Sequence, residues 1–304
     1  MRPCRLIAAL LVLICLALGA PAQAAVPVPW GLDRIDQRAL PLDGSYRTRS
    51  TGSGVTVYVV DTGIRLTSHD LHGRAVTGVD VIDGGEANDC NGHGTHVAGL
   101  IAGSRYGVAK AARLVAVRVM DCQGRGSEST IRKGLSWVLS HHRAGQPAVL
   151  NMSLGGAPSV DVDKLVKALV KDGVVVVVAA GNGDPWGNAA DACDFSPART
   201  KLAITVSATD QNDAKPRWAN TGSCVDLFAP GVNVPSDWDD SDVSEKTISG
   251  TSMAAPAVTG AAALYLSTHP SAKPSAVRAA LVKAATRGVV KGHGSAPDRL
   301  LHVT

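Results

Sequence analysis

The chain alternates strand-length apolar runs with helix-length segments, and this alternation limits the folds that it can adopt. Val174 to Ala180 consists wholly of apolar residues, and strands buried on both faces of a sheet have this pattern. Similar apolar runs occur at 55–60, 114–120, 149–154, 202–206 and 225–228. Segments of helical length and character occur at 93–103, 127–142, 161–171, 252–267 and 275–285. Strands separated by helices predict an α/β domain with a parallel, doubly wound sheet.

The first 25 residues have the pattern of a signal peptide. Arg2 and Arg5 precede the apolar stretch 6–18, and small residues surround Gln23. The alternative is an N-terminal anchor, but the apolar stretch is shorter than the roughly 20 residues that span a bilayer. We therefore predict cleavage near Ala24 or Ala25, an extracellular location without membrane association after cleavage, and one domain over residues 26–304.

The remaining chain is nearly neutral and holds an even number of cysteines. Without the two leader arginines, 28 of the 30 basic residues remain against 26 acidic ones, which argues against a nucleic-acid partner. Disulfides persist in exported proteins, and none of the remaining cysteines lies in a CxxC motif, which argues against a zinc site. Three pairings are open to these residues, which are Cys90, Cys122, Cys193 and Cys224.

Four polar residues lie where α/β proteins place reactive groups. Asp61 follows the strand 55–60, His93 lies between two glycines at a helix start, and Asn182 follows the strand 174–180. Ser252 begins the helix 252–267, where free backbone N–H groups favour negative charge. A serine becomes a nucleophile when a base removes its proton, and histidine is a suitable base.

Some of these patterns have other interpretations. Asp61 alone could be a turn or cap residue. His93 and His96 could be two metal ligands, but no third ligand lies near them, so we expect His96 to be a packing residue. No GxGxxG or GxxxxGK[ST] motif follows a strand, which excludes a nucleotide-binding α/β protein.

The segment 26–54 is rich in oxygen donors that could bind Ca²⁺, which takes six to eight oxygen ligands. No EF-hand spacing is present, so the residues alone favour a solvated N-terminal arm. The donors are Asp33, Asp36, Gln37, Asp43 and Ser45.

Four motifs, in this order, resemble those of subtilisin-like serine proteases (peptidase S8). They are Val-Val-Asp-Thr-Gly-Ile (59–64), Asn-Gly-His-Gly-Thr-His-Val-Ala-Gly (91–99), Ala-Ala-Gly-Asn (179–182) and Gly-Thr-Ser-Met-Ala-Ala-Pro (250–256). The stretches 29–38, 89–96, 151–156 and 223–231 resemble the proteinase K branch, particularly aqualysin-like secreted bacterial proteases. The resemblance implies an α/β, subtilisin-like three-layer fold, with a central, mostly parallel sheet of about seven strands and helices on both faces.

The resemblance also implies a role for each reactive residue. Ser252 would be the nucleophile, His93 the general base, and Asp61 the acid that orients the imidazole. Asn182, with the backbone N–H of Ser252, would bind the oxyanion.

A substrate would pair as an added strand with the segments 124–126 and 153–155. The pocket walls would be small, which implies an open, apolar pocket without a charged selector. Arg125 would favour acidic or aromatic substrate residues. The substrate-binding residues implied are Gly124, Gly126, Ser153, Leu154, Gly155, Ala179 and Gly181.

Two disulfides and structural calcium follow from the same resemblance. The implied pairs are Cys90–Cys122 and Cys193–Cys224. One calcium site would use the N-terminal oxygen donors, and a second would use Asp226 with carbonyls near Lys201 and Ala203. No catalytic cofactor is implied.

These implications favour a secreted, monomeric serine endopeptidase that cleaves proteins and peptides through an acyl-enzyme, with a broad, mainly hydrophobic preference. The alternative is a secreted binding or regulatory protein on a protease scaffold. Its support is that no separate pro-domain is evident between Ala25 and Pro29. Ala257 stands where histidine is usual in the family, and we expect changed packing there with retained chemistry.

Overall fold

A seven-stranded parallel sheet forms the centre of the molecule in the computed structural model, which describes residues 27–184 and 186–303. The predicted signal peptide lies outside the described residues. The sheet order is β2-β3-β1-β4-β5-β6-β7, and every pairing is parallel. The strands are β1 (Thr56–Asp61), β2 (Ala75–Asp80), β3 (Arg113–Arg118), β4 (Ala148–Met152), β5 (Val175–Ala179), β6 (Ile204–Thr209) and β7 (Leu227–Pro230).

Helices cover both faces of the sheet, so the predicted three-layer α/β fold is confirmed. Successive side chains of a strand point to opposite faces. Val57 and Val59 pack in the cluster that includes α2 and α5, whereas Tyr58 and Val60 pack with α3 and α4. The helices are α1 (Trp30–Ile35), α2 (His93–Ala102), α3 (Glu128–His141), α4 (Val160–Lys171), α5 (Thr251–Thr268) and α6 (Pro274–Ala284).

Serine side chains define the starts of two helices. Ser127 caps α3 and forms a capping box with Thr130, and Ser159 caps α4 by accepting the N–H of Val162. Each cap satisfies a backbone donor that the helix itself leaves free.

Four elements do not follow from the apolar pattern. Strand β2 lies at the sheet edge, contains Gly78 and a register shift between Thr77 and Val79, and therefore lacks an apolar run. The antiparallel pair β8 (Val234–Asp237) and β9 (Glu245–Ile248) is largely polar. Helix α1 is the fourth.

The prediction of a solvated N-terminal arm is wrong for α1, whereas residues 36–51 are exposed or half-buried. Leu32 and Ile35 of α1 are buried, and Arg34 is fully buried with its guanidinium 2.7 Å from the carboxylate of Asp213. A buried guanidinium requires such a partner because the cost of removing its charge from water is high. This pair ties α1 to the loop after β6.

Two disulfides join Cys90 to Cys122 and Cys193 to Cys224, the pairing that the resemblance implies. Each closes a loop of about thirty residues.

Among the described residues, no helix has the length and apolar character needed to cross a membrane.

Candidate active site

Asp61, the last residue of β1, lies at the carboxyl end of the sheet and holds His93. The side chain of Asp61 is fully buried, and its Oδ1 lies 2.7 Å from Nδ1 of His93. The same oxygen accepts the backbone N–H of Thr62 at 2.8 Å. The carboxylate therefore fixes the imidazole so that its other nitrogen, Nε2, is available for proton transfer.

His93 is the first residue of α2, and a glycine lets this helix start against β1. A Cβ on Gly94 would lie 2.0 Å from the carbonyl oxygen of Gly63, closer than packing allows. The N–H of Gly94 donates to Oγ1 of Thr62 at 2.9 Å. Any larger residue at 94 would push the imidazole away from Asp61.

The environment of His93 raises its pKa above the ordinary value. Burial by itself lowers the pKa of this imidazole, but the charge and hydrogen bond of Asp61 outweigh burial, and the charge of Asp89 adds to the rise. The cationic form is therefore stabilised, which suits a base that must accept a proton during the reaction.

Asp89 organises the start of α2, and our reasoning from the sequence missed it. Its carboxylate accepts hydrogen bonds from Oγ1 of Thr62 at 2.8 Å, from the N–H of Asn91 at 3.0 Å, and from both N–H and Oγ1 of Thr95. A negative charge at a helix N-terminus is stabilising. The signal in the sequence is that Asp89 begins the stretch 89–96, which resembles the proteinase K branch.

Ser252 lies in the first turn of α5, and a proline modifies its backbone. Pro256 has no N–H, so it cannot bond the carbonyl of Ser252 four residues earlier. That carbonyl instead accepts Oγ of Ser153 at 2.7 Å, while Oγ of Ser252 donates to the carbonyl of Ser153 at 3.0 Å. No hydrogen bond joins Ser252 to His93 in the part of the chain that the structure describes.

Asn182 follows β5 with the orientation of its amide fixed by Thr251. Its Oδ1 accepts both the N–H and Oγ1 of Thr251, each at 2.9 Å. The Oγ1 of Thr251 also accepts the N–H of Gly181 at 3.1 Å. With Oδ1 occupied, Nδ2 is the group of Asn182 that remains to donate. A Cβ built on Gly250 would lie 3.5 Å from Nδ2 of Asn182.

An uncharged pocket of about 270 Å³ adjoins Ser252. None of its lining residues is charged, and Leu154, Phe195 and several alanines and glycines form its walls. Gly155, Ala179, Gly181 and Asn182, which were predicted around the site, all line it.

Both segments that were predicted to pair with substrate contain exposed backbone. Gly124, Arg125 and Gly126 are exposed, as is Gly155. Among the described residues, the N–H groups of Gly126 and Gly155 donate no hydrogen bond. Free N–H groups on extended backbone are what an added strand would pair with.

Trp238, just after β8, packs against the residue that precedes His93, and the sequence reasoning missed this contact. Gly92 has φ +98°, and a Cβ there would lie 2.2 Å from Cε2 of Trp238. The rings of His96 and Trp238 meet edge to face with centroids 6.2 Å apart, and Nζ of Lys246 lies 4.0 Å from the Trp238 centroid. The pair β8–β9 thus supports the start of α2.

His96 is a packing residue, as predicted. It is fully buried, and its Nε2 lies 3.1 Å from the carbonyl oxygens of both Val234 and Lys246. Since both partners are acceptors, Nε2 carries the proton.

Ala257 is buried on α5 and lines a small apolar cavity with residues of α1.

The profile of the subtilase family, peptidase S8, matches residues 52–300. The chain belongs to this family. The extracellular serine proteinase of Thermus sp. (strain Rt41A) is 54% identical over 278 residues, which are 91% of this chain and 66% of that protein. Alkaline serine exoprotease A of Vibrio alginolyticus is 50% identical over 274 residues, or 90% of this chain and 50% of that protein. This subtilase therefore spans between half and two thirds of the length of these relatives.

The crystal structure of a cold adapted subtilisin-like serine proteinase has the same fold. It matches this subtilase with a TM-score of 0.87 and 45% sequence identity, covering 92% of this chain and 99% of that chain.

Among the N-terminal oxygen donors of this subtilase, Asp36 offers a carboxylate oxygen to a calcium ion, whereas the carboxylate of Asp43 is paired with Arg47 at 3.1 Å. Oδ1 of Asp36 is buried, with no hydrogen-bond partner among the described residues, and burial together with the charges of Asp43 and Asp33 raises the Asp36 pKa. A divalent cation would relieve this crowding. No three acidic, histidine or cysteine side chains in the described ranges form a metal site by themselves, so Gln37, Ser45 and backbone carbonyls would complete the shell.

The second predicted calcium set does not fit. Asp226 is buried, and its Oδ1 accepts hydrogen bonds from Nε of Arg278 at 3.1 Å and from Nη2 of the same guanidinium. Its Oδ2 accepts the N–H of Thr205 at 3.0 Å. A cation at this carboxylate, beside the carbonyls near Lys201 and Ala203, would meet the charge of Arg278, so we do not propose a metal there.

Proposed function

We propose that this subtilase is a secreted serine endopeptidase. The observation that carries the proposal is the hydrogen bond of 2.7 Å between the buried Asp61 and His93 at the carboxyl end of the sheet. Asn182 follows β5 at the same end and lines one pocket with Ser252. Its family membership and the names of its relatives support peptide-bond hydrolysis. The catalytic domain would be residues 26–304, preceded by a signal peptide at 1–25.

The reaction begins when a bound substrate draws Ser252 away from Ser153. Oγ of Ser252 turns toward Nε2 of His93 and attacks the scissile carbonyl, and His93 takes the proton. Asp61 stabilises the imidazolium that forms. Hydrogen bonds of this kind are often absent before substrate binds and form in the complex.

The tetrahedral intermediate carries a negative oxygen, which Nδ2 of Asn182 and the N–H of Ser252 bind. His93 then returns the proton to the leaving amine, and an acyl group remains on Ser252. Water, activated by His93 in the same way, releases it. Each charged species along this path has a fixed partner that is already in position.

Substrate preference would be broad and mainly apolar. The pocket beside Ser252 has no charged lining residue, so it supplies no counter-ion for a basic or acidic side chain. Substrate backbone would pair with 124–126 and 153–155. The exposed guanidinium of Arg125 would favour acidic or aromatic residues on the substrate segment that crosses it.

A fluorophosphonate probe tests this function. We expect the purified protein to be labelled once, on Ser252, and to cleave a peptide library mainly after apolar residues. Ser252→Ala and His93→Ala should abolish both labelling and cleavage. Folded wild-type protein that takes no label would instead be a binding protein on a protease scaffold.

Calcium at the N-terminal set would be structural. We expect chelation by EGTA to lower the melting temperature of the Ser252→Ala protein, and Asp36→Asn to remove that dependence. Asp226→Asn is the matched control, because it also removes one carboxylate but should leave the EGTA effect in place. An EGTA effect unchanged in Asp36→Asn would refute the site.

A further inference from the structure

A basic groove opens at the amino end of the sheet, opposite the carboxyl end at which Asp61 lies. Thr56 and Arg113 begin neighbouring strands and are directly paired, so their side chains share a face. On that face lies a cavity of about 340 Å³ whose other lining groups include His141, Arg143 and Gln146. Asp61 ends the same strand that Thr56 begins, so the groove is separate from the active site.

The groove contains positive charge without a compensating acid. None of its lining residues is Asp or Glu. Within the described part of the chain, neither Arg113 nor Arg143 forms a salt bridge or a side-chain hydrogen bond with any residue. By contrast, Arg34, Arg65, Arg118 and Arg199 each contact an aspartate.

His141 lines the same groove, and two aromatic side chains contact its imidazole. Its ring stacks on Trp137 with centroids 4.4 Å apart, and Nδ1 lies 3.0 Å from the hydroxyl oxygen of Tyr58. Burial lowers the His141 pKa, and the charges of Arg143 and Arg113 lower it further. Both guanidiniums and the imidazole line the same cavity, so one bound group could contact all three.

The end of helix α3 accounts for only part of this arrangement. A basic residue near a helix C-terminus is favoured by the dipole, which explains one cation at 141–143. Arg113 belongs to β3 and has no such reason to face the groove. Hydroxyl and amide groups of Thr56, Thr77 and Gln146 surround the same space. Polar side chains thus come from three strands, a helix end and the loop that follows it.

We propose that this groove is an exosite for a tetrahedral oxyanion, a sulfate or phosphate group, clamped by Arg113 and Arg143. Guanidinium groups bind such anions with paired N–H donors, and donors arriving from several directions suit a tetrahedral rather than a planar ligand. The ligand is either the free ion or an ester group on an anionic polymer. In the second case the exosite holds the protease on that polymer while the active site, at the opposite end of the sheet, cleaves its substrate.

Thermal unfolding of the Ser252→Ala protein tests the exosite with sodium sulfate as the probe and sodium chloride at equal ionic strength as the reference. We expect sulfate to raise the melting temperature in a saturable way, since a ligand that binds only the folded state stabilises it. Arg113→Ala/Arg143→Ala should remove the saturable part. Arg287→Ala/Lys283→Ala, which removes the same charge from an exposed surface, should retain it.

Proton NMR of His141, assigned with His141→Gln, supplies a second measurement. Bound sulfate should raise the His141 pKa, and the arginine double variant should abolish that rise. A sulfated oligosaccharide that binds at least tenfold tighter than free sulfate identifies the polymer as the source, whereas equal affinity identifies the free ion. Equal sulfate effects in both double variants, no pKa change, or equal binding of acetate would overturn the proposal.

Discussion

Asp61 and His93 form the pair on which the proposed chemistry depends. Asp61 is fully buried and fixes one imidazole nitrogen, and its charge outweighs burial in setting the His93 pKa. A base must be neutral to accept a proton, so activity is lost as pH falls through the His93 pKa. Because that pKa is raised, the loss begins above about pH 6.5, the ordinary value for histidine.

We predict that Asp61→Asn lowers kcat by about 10⁴ and moves the acid limb of kcat/KM to lower pH. The amide removes the charge that raises the His93 pKa, while burial, which lowers it, remains. A pH–rate profile of the wild type and the variant measures both effects. An acid limb that stays in place would contradict the role given to Asp61.

Asn182 should act on the transition state more than on substrate binding. Its Oδ1 is occupied by Thr251, and Nδ2 is left to donate. We predict that Asn182→Ala lowers kcat by about 10²–10³ with little change in KM. Thr251→Ser is the control, since it retains the hydroxyl that orients the amide. A variant that changes KM and leaves kcat intact would assign Asn182 to ground-state binding.

Local patterns were enough to predict the candidate reactive residues, because each lies within a motif at a strand end or helix start. Contacts between distant segments could not be predicted in this way. Arg34 and Asp213 are 179 positions apart, and the packing of Trp238 on Gly92 joins two elements that no spacing relates. Strands β2, β8 and β9 were missed because pairing with other strands, rather than an unbroken apolar run, stabilises them.

At the scale of elements, the pair β8–β9 determines where α2 begins. Trp238 covers Gly92, and the carbonyls of Val234 and Lys246 accept Nε2 of His96 one turn further along. A shift of about 1 Å in the position of a catalytic group can cost about 10² in rate. Trp238 is therefore a positioning residue that acts through Gly92.

We predict that Trp238→Phe lowers kcat/KM by roughly tenfold, and Trp238→Ala by up to about a hundredfold. Both should move the acid limb of the pH–rate profile to lower pH, because a displaced His93 loses part of its contact with Asp61. Trp137→Phe is the control, since Trp137 packs on Tyr58 and His141 at the far end of the sheet. If the control moves the acid limb equally, Trp238 has only a structural role.

At the scale of the whole molecule, buried neutral histidines link stability to pH. Burial lowers the pKa of both His96 and His302 to about 4. The pKa of each histidine is near 6.5 in the unfolded chain. Their contribution to the free energy of unfolding is therefore complete above pH 6.5 and is lost as pH falls from 6.5 towards 4. Between pH 7.5 and pH 5 the expected loss for His96 is about 2 kcal/mol.

Urea unfolding of the Ser252→Ala protein at pH 7.5 and pH 5 measures this dependence. We predict that adding His96→Gln reduces the difference in unfolding free energy between the two pH values by about 2 kcal/mol. Asp237, whose pKa burial and the charge of Asp70 raise to about 7, acts in the opposite direction. Because Asp237 is present in the protein with and without His96→Gln, its contribution cancels when the two are compared. An unchanged pH dependence in His96→Gln would show that His96 does not become charged on unfolding.

The central claim is that Ser252 forms an acyl-enzyme with His93 as its base. Intact-mass spectrometry of the protein, acid-quenched during turnover of a slow ester substrate, tests it most directly. We predict one acyl adduct, located on Ser252 by peptide mapping and absent from both His93→Ala and Ser252→Ala. Hydrolysis by wild-type protein with no adduct on Ser252, or an adduct that persists in His93→Ala at the same rate, would contradict the account.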